Sequence, residues 1–284
     1  MDAPHLLCLG LGYTAQALAR RGRALGWRVR GTCRPGPQEG ALRAQGWEVL
    51  PCGQGAALPP DALEGVTHLL DSIPPEGSLL EQVRPLLAGA ERLRWVGYLS
   101  ATSVYGDQGG AWVEAGTTPC RPTGGRGQTR LAAEQAWQAL LPAVPVHVFR
   151  LAGIYGPGRS ALDRVRAGEA RRVAKPGLVF SRIHVEDAAT ALLASCLSPR
   201  PGAIYDLADD EPAPPEDVGT CACELLGVTP PPLELWSEAR LSPPLREFYA
   251  DSKRVSNRRA KEELGWRPAW PDYRAGLRAL LAGE

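Results

Sequence analysis

The feature that most constrains this chain is a turn. Residues 5–9 (HLLCL) form a short apolar run that ends at Gly10. Gly10-Leu11-Gly12-Tyr13-Thr14-Ala15 then opens a stretch, 14–25, in which Ala15, Leu18, Ala19 and Leu25 recur at helical spacing. A strand that meets a helix through G-x-G-x-x-A lets the backbone approach a pyrophosphate. The first glycine allows the tight turn, the second the close approach, and Ala15 a short helix–strand distance. The N-terminus of the helix adds free N–H groups and the positive end of a dipole. The alternative is a glycine turn with a purely structural role.

The rest of the chain repeats the alternation. Strand-like runs lie at 28–33 (RVRGTC), 47–50 (WEVL), 66–71 (VTHLLD), 95–99 (WVGYL) and 146–151 (VHVFRL), with helical stretches between most of them, notably 78–90 and 128–141. Strands alternating with helices predict an α/β fold, a Rossmann-type doubly wound parallel sheet covered on both faces. After about residue 155 the stretch 210–216 (DEPAPPE), the prolines 230–232 and Pro243–Pro244 punctuate the chain heavily. This reads as a smaller, loop-rich lobe with a last helix at 271–282. The helical 185–197 and strand-like 203–207 return to the sheet. The expected organisation is an NAD(P)-binding domain over 1–154, rejoined by about 183–207. An interleaved substrate lobe then covers 155–182 and 208–284.

The end of the second strand bears on the choice of cofactor. It reads Thr32-Cys33-Arg34, with no Asp or Glu before Glu39. An NAD site commonly ends this strand with an acid on the ribose hydroxyls, whereas Arg34 offers a planar cation for a 2′-phosphate. NADP is therefore expected over NAD. Ligands of doubly wound sheets sit at the strand C-termini. Ser72 and Ser100, at two further strand ends, join Gly10, Leu11, Gly12, Tyr13, Thr14 and Arg34 as expected cofactor contacts.

Composition removes other classes. The chain has 284 residues and a formal charge of +1, without the basic excess of a nucleic-acid binder. No apolar run approaches the roughly 18 residues of a membrane span. The first residues carry Asp2 and no basic segment, unlike a secretory signal. Seven cysteines with one C-x-C at Cys221 and Cys223 make neither a metal set nor a disulfide framework. Free thiols in a reducing cytoplasm are expected, with no metal. Basic residues comprise 29 arginines and only three lysines, Lys175, Lys253 and Lys261. A mechanism that needs a lysine has three candidates.

Several segments together resemble the extended short-chain dehydrogenase/reductase family, the NAD(P)-dependent sugar-nucleotide epimerases and dehydratases. They are GLGYTA at 10–15, LSATSVYGD at 99–107, Glu114 with Pro119 to Pro122, RLAGIYGPG at 150–158, RIHVEDAATALL at 182–193 and SKRVSNRRAKEELGWRPAWPDYRAGL at 252–277. They cover nearly the whole chain in the family's order. The resemblance implies a Rossmann domain with a C-terminal substrate lobe.

The departures concern the chemistry. Where the family carries a Ser or Thr, a Tyr and a Lys, this chain has Ala101, Arg126 and Arg130. In the family the tyrosine phenol exchanges a proton with the substrate, and the lysine lowers the phenol's pKa and bonds the nicotinamide ribose. A guanidinium keeps its proton in the physiological range. Arg126 therefore cannot take over proton exchange, whereas Arg130 can still bind the ribose. Thr102 and Ser103 flank the vacant serine position as hydrogen-bond donors. Together with Arg126 and Arg130 they form the candidate catalytic set.

Tyr105, His184 and Asp187 read as structural. Tyr249-x-x-x-Lys253 has the spacing of one helical face but lies in the substrate lobe. Lys253 and Arg159 are the candidate contacts for a substrate phosphate. Trp95, Trp137, Trp266 and Trp270 fall at packing positions.

Two functions follow from these readings. One is an oxidoreductase or epimerase acting on a nucleotide sugar or other small carbonyl or hydroxyl substrate through a non-standard proton donor. The other is a non-catalytic NADP(H)-binding sensor or regulatory module. The full substrate lobe favours the first, and the replaced triad favours the second. The expected partner is a small, phosphate-bearing molecule, not nucleic acid or membrane, and a homodimer stays open.

Overall fold

The computed structural model describes residues 3–53, 56–243, 246 and 249–283. Seven strands form one sheet: β1 (His5–Leu9), β2 (Arg28–Cys33), β3 (Glu48–Pro51), β4 (His68–Asp71), β5 (Trp95–Ala101), β6 (Val146–Leu151) and β7 (Ile204–Leu207). Their order is β7-β6-β5-β4-β1-β2-β3. The pairs β1–β2, β2–β3, β1–β4 and β4–β5 are parallel, with Leu7 opposite both Arg30 and Leu69. The chain first builds outward from β1 to β3, then returns to place β4 on the other side of β1. The topological switch point, where such sheets open a crevice, therefore lies beside the end of β1.

The sequence accounts for the buried strands. β1, β4 and β6 are buried at every position, as expected for a parallel sheet with both faces covered. On one face Leu7, Leu9, Leu69, Val96, Tyr98 and Val148 join Trp137 in the main core. Elsewhere in the sheet aromatic rings follow one another: Trp27 on His68 at 4.8 Å, His68 on Trp95 at 6.2 Å, Trp95 on Phe149 at 5.9 Å and Phe149 on Tyr205 at 5.8 Å. The Trp95 indole N–H donates to Ser195 Oγ at 3.0 Å, so the largest buried ring has its polar group satisfied. The helix Tyr13–Ala24 buries Thr14, Ala15, Ala17, Leu18, Ala19 and Gly22; small residues on this face allow close packing.

The chain divides into two compact units. The first comprises 1–100, 129–149 and 189–205, and the second 101–128, 150–188 and 206–284. The second unit holds three short parallel strand pairs: Gly153–Tyr155 with Arg182–His184, Arg172–Ala174 with Leu233–Leu235, and Trp112–Val113 with Arg254–Val255. Its helices include Ala161–Arg166, Pro215–Leu225 and Tyr273–Ala282, which bury Leu162, Val218, Ala222, Tyr273 and Leu277 together. A Ser160–Asp163 capping box starts the first of these helices.

Three elements differ from the sequence expectation. The stretch 78–90 is a short helix, Leu80–Val83, followed by a 3-10 turn, Arg84–Gly89; Pro85 lacks the N–H that an α-helix would need there. The helix expected at 128–141 runs from Gly125 to Gln138. Residues 249–253 are not helical, because Ser252 is held by tertiary bonds instead. Its N–H donates to Asp107 Oδ1 at 2.8 Å, and its carbonyl accepts from Gln108 and Gly110.

Candidate functional site

In the first unit, the Gly10–Thr14 turn sits at the switch point. Gly10 has φ +76°, and a Cβ there would lie 2.7 Å from Ile73 Cγ1, so only glycine fits. Its N–H donates to Thr32 Oγ1 at 2.8 Å, and the Leu11 N–H donates to the Thr32 carbonyl at 2.8 Å. The Ser72 hydroxyl donates to the Gly10 carbonyl. Residues from the ends of β1, β2 and β4 are thereby locked together.

Gly12 is different. It caps the Tyr13–Ala24 helix with an extended backbone, φ −83°, and a Cβ would meet nothing within 4 Å. The helix opens without a side-chain cap and without an acid in its first turn. Open space over Gly12 and a helix end of this kind suit an anionic group. Leu11 contributes through its backbone, since its side chain is buried against Gly31. Thr14 is buried and Tyr13 half-buried at the start of the helix.

At the end of β2, Arg34 is exposed and makes no hydrogen bond or ion pair among the described residues. The next acid in the chain, Glu39, is held by the Arg43 guanidinium at 3.0 Å. At the end of β5, the Ser100 hydroxyl is buried and has no hydrogen-bond partner among the described residues. A buried orphan donor at a strand C-terminus is a position that a ligand would complete. Arg130 Nη1 donates to the Leu99 carbonyl at 2.6 Å, one residue before Ser100. Together, the space over Gly12, the Ser100 hydroxyl and the cations Arg34 and Arg130 fit a dinucleotide.

Two groups here had no role assigned from sequence, although Asp71 stands at one of the expected strand ends. Asp71 closes β4, is buried, and is pushed up to about 6 by burial, against its bonds from Ile73 and Trp137 and the charge of Arg130. Tyr98 is buried beneath Arg130, and burial pushes its phenol up to about 12. The one available signal was a polar residue ending or interrupting an apolar run.

In the second unit, Thr102 and Ser103 begin the 3-10 turn Thr102–Tyr105 and are half-buried. Arg126 is exposed near the start of the Gly125–Gln138 helix. The Tyr105 hydroxyl donates to Asp206 at 2.9 Å and accepts from Arg150 Nη1 at 2.9 Å, wholly buried. Burial, then the Asp206 charge, raises its pKa, so this phenol is a structural link and not an acid.

His184 lies between Tyr155 and Trp270, with ring centroids at 5.2 and 4.0 Å. Burial lowers its pKa to about 4, so it stays neutral at physiological pH. Asp187 accepts the N–H groups of Ala269 at 2.8 Å and Trp270 at 3.1 Å, tying the LGW-x-P segment to its helix.

Arg159 is exposed in the Gly156–Arg159 turn. Lys253 is 9% exposed and faces Asp251 Oδ2 at 3.4 Å, so its charge is already partnered. Trp137 and Trp266 are buried like Trp95, and Trp270 is half-buried against His184.

No family model matches the chain. It is 30% identical to Protein YeeZ of Escherichia coli over 278 residues, covering 93% of this chain and 95% of that protein. It is 35% identical over 141 residues to 3-diazoavenalumate denitrifying reductase of Streptomyces sp, covering 46% of this chain and 45% of the reductase. Among solved structures, a conserved protein of unknown function from Silicibacter pomeroyi DSS is 50% identical, with a TM-score of 0.92 over 99% of both chains. A protein of Methylobacillus flagellatus assigned as an NAD-dependent epimerase/dehydratase is 26% identical, with a TM-score of 0.71 over 99% of this chain and 98% of its own. MoeE5 in complex with UDP-glucose and NAD shares the fold, with a TM-score of 0.76 at 20% identity over 99% of this chain and 98% of its own. With this likeness along nearly its full length and the glycine turn at the switch point, the chain belongs to the epimerase/dehydratase-like, extended short-chain dehydrogenase/reductase family.

Proposed function

We propose that the chain is an NADP-dependent oxidoreductase or epimerase that acts on a small, phosphate-bearing carbonyl or hydroxyl substrate, such as a nucleotide sugar, without a tyrosine acid. The observation that carries the cofactor choice is Arg34, an exposed guanidinium at the end of β2; the next acid in the chain, Glu39, is already held by Arg43. A 2′-phosphate would meet a cation there, and ribose hydroxyls would meet no free carboxylate. A structural neighbour's complex with UDP-glucose and NAD supports a nicotinamide dinucleotide and a nucleotide-sugar class of substrate.

When bound, the nicotinamide would supply hydride transfer. The chain's own residues would bind and orient. Gly12 leaves room for the pyrophosphate, the Ser100 hydroxyl gains an acceptor, and Arg130 offers a fixed cation to the ribose side. Thr102 and Ser103 offer hydrogen bonds to a substrate oxygen, and Arg159 offers a cation to a substrate phosphate. Arg126 and Arg130 provide positive field but no proton exchange. The proton must come from substrate or water. The name of the Streptomyces relative describes a diazo substrate that loses nitrogen. Seven free thiols suit a reducing cytoplasm, and no helix among the described residues is long and apolar enough to cross a membrane.

The second reading, a non-catalytic NADP(H)-binding module, is favoured by Ala101, Arg126 and Arg130 at the family's catalytic positions. Fluorescence titration with NADPH and NADH, on wild type and Arg34→Ala, tests the cofactor. The variant should lose about 10- to 100-fold for NADPH and little for NADH. Equal binding by both proteins refutes the Arg34 assignment. NADPH consumption over a panel of nucleotide sugars, carbonyl and diazo compounds tests turnover. Tight NADPH binding with no consumption on any of them overturns the enzyme reading in favour of the module.

A further inference from the structure

Asp71 is the charged group at the dinucleotide end that the proposed function leaves unused. Its side chain is 1% exposed. Oδ1 accepts the Ile73 N–H at 3.1 Å, and Oδ2 accepts the Trp137 indole N–H at 3.0 Å. One oxygen therefore holds the 72–74 loop, and the other holds the Gly125–Gln138 helix.

Both ends matter to the cofactor. Gly10 turns against Ile73, and the Ser72 hydroxyl is bonded to the Gly10 carbonyl. On the helix, Arg130 precedes Trp137 by two turns and lies on the same face. Its guanidinium is fixed to the Leu99 carbonyl and attracts the Asp71 carboxylate. β1 places Leu9 opposite Asp71, and β5 places Tyr98 there, a phenol that burial keeps protonated. Glu134 is the remaining buried acid on the helix.

We propose that Asp71 is a positioning residue for the dinucleotide: its carboxylate ties the phosphate turn to the Arg130 helix, so that the two set together. The proposal rests on the dinucleotide reading above. The ionised carboxylate serves best, because each oxygen accepts an N–H. On protonation, one oxygen becomes a hydroxyl, a weaker acceptor, and the attraction for Arg130 is lost. The tie slackens as pH falls through about 6, the value to which burial raises this acid.

The test is NADPH titration of wild type and Asp71→Asn between pH 5.5 and 8, with 1H–15N spectra of the indole N–H groups. The 2′-phosphate of NADPH titrates equally for both proteins, so the readout is the difference in slope. Wild type should lose about threefold more affinity than Asp71→Asn between pH 7.5 and 5.5, close to the limit of about fourfold set by an acid that titrates at about 6, and Asp71→Asn should bind about tenfold more weakly at pH 7.5. The Trp137 indole signal, assigned by its loss in Trp137→Phe, should titrate near pH 6 without any dinucleotide. Equal affinities and slopes overturn the proposal. So does an indole signal that does not titrate while wild type binds NADPH. If wild type binds no dinucleotide yet Trp137 titrates, the dinucleotide reading is what fails, and the positioning role falls with it.

Discussion

Gly10 and Gly12 stand two residues apart in one motif, yet the structure assigns them opposite costs on substitution. Gly10→Ala forces a β-carbon into the left-handed region at φ +76° and to 2.7 Å from Ile73 Cγ1. The backbone cost is about 1–2 kcal/mol. Overpacking against Ile73 adds about 1–3 kcal/mol. The sum, about 2–5 kcal/mol, lowers the melting temperature by about 5–15 °C in a chain of this size. Gly12→Ala meets an ordinary φ of −83° and open space, so its cost is that of alanine for glycine at a helix cap, under about 1 kcal/mol. Its methyl group, however, fills the space over which a pyrophosphate would lie. Thermal scans with and without NADPH, alongside fluorescence titration, separate the two effects. Gly10→Ala should melt early, whereas Gly12→Ala should melt like wild type without NADPH and gain no stability from it. If Gly12→Ala binds NADPH as wild type does, the turn is not a phosphate cradle. If it melts as early as Gly10→Ala, the steric reasoning is wrong.

Further predictions concern stability. Asp187→Ala strands the N–H groups of Ala269 and Trp270, and should cost about 2–4 kcal/mol in urea unfolding; a change within 0.5 kcal/mol, roughly that of a neutral surface substitution, refutes the role given to this carboxylate. His147 is wholly buried; its Nε2 accepts the Arg200 N–H at 2.8 Å, which leaves Nδ1–H to donate to the Val96 carbonyl. Burial lowers its pKa to about 4 from 6.5, so the stability tied to the neutral ring is complete above pH 6.5 and is lost as pH falls toward 4. His5 and His184 are lowered to the same value, each chiefly by burial, and act in the same window. Urea midpoints should therefore fall between pH 6.5 and 4.5, and His147→Gln should flatten that fall; an unchanged slope counts against the buried neutral ring.

The sheet was legible because its signals are local. Apolar runs such as HLLCL and VHVFRL correspond to β1 and β6. The glycine turn announced the switch point. What stayed hidden depends on contacts distant in sequence. Nothing near Asp71 shows that a tryptophan 66 residues later will bond it, or that Tyr105 will meet Arg150 and Asp206. Tyr249 and Lys253 have helical spacing, but bonds between Ser252 and the 107–110 segment outweigh that preference. Pro85 interrupts 78–90, and its missing N–H outweighs the helical preference of the apolar residues around it.

The division into two units has a consequence for how such a protein can diversify. The chain passes from one unit to the other at residues 100/101, 128/129, 149/150, 188/189 and 205/206. A single crossover between genes therefore cannot exchange one unit intact. Each unit is stitched from three segments, and a recombinant would have to respect every seam. New specificity is then open mainly to point substitution and loop insertion, and a purification tag or fusion partner belongs at an end of the chain.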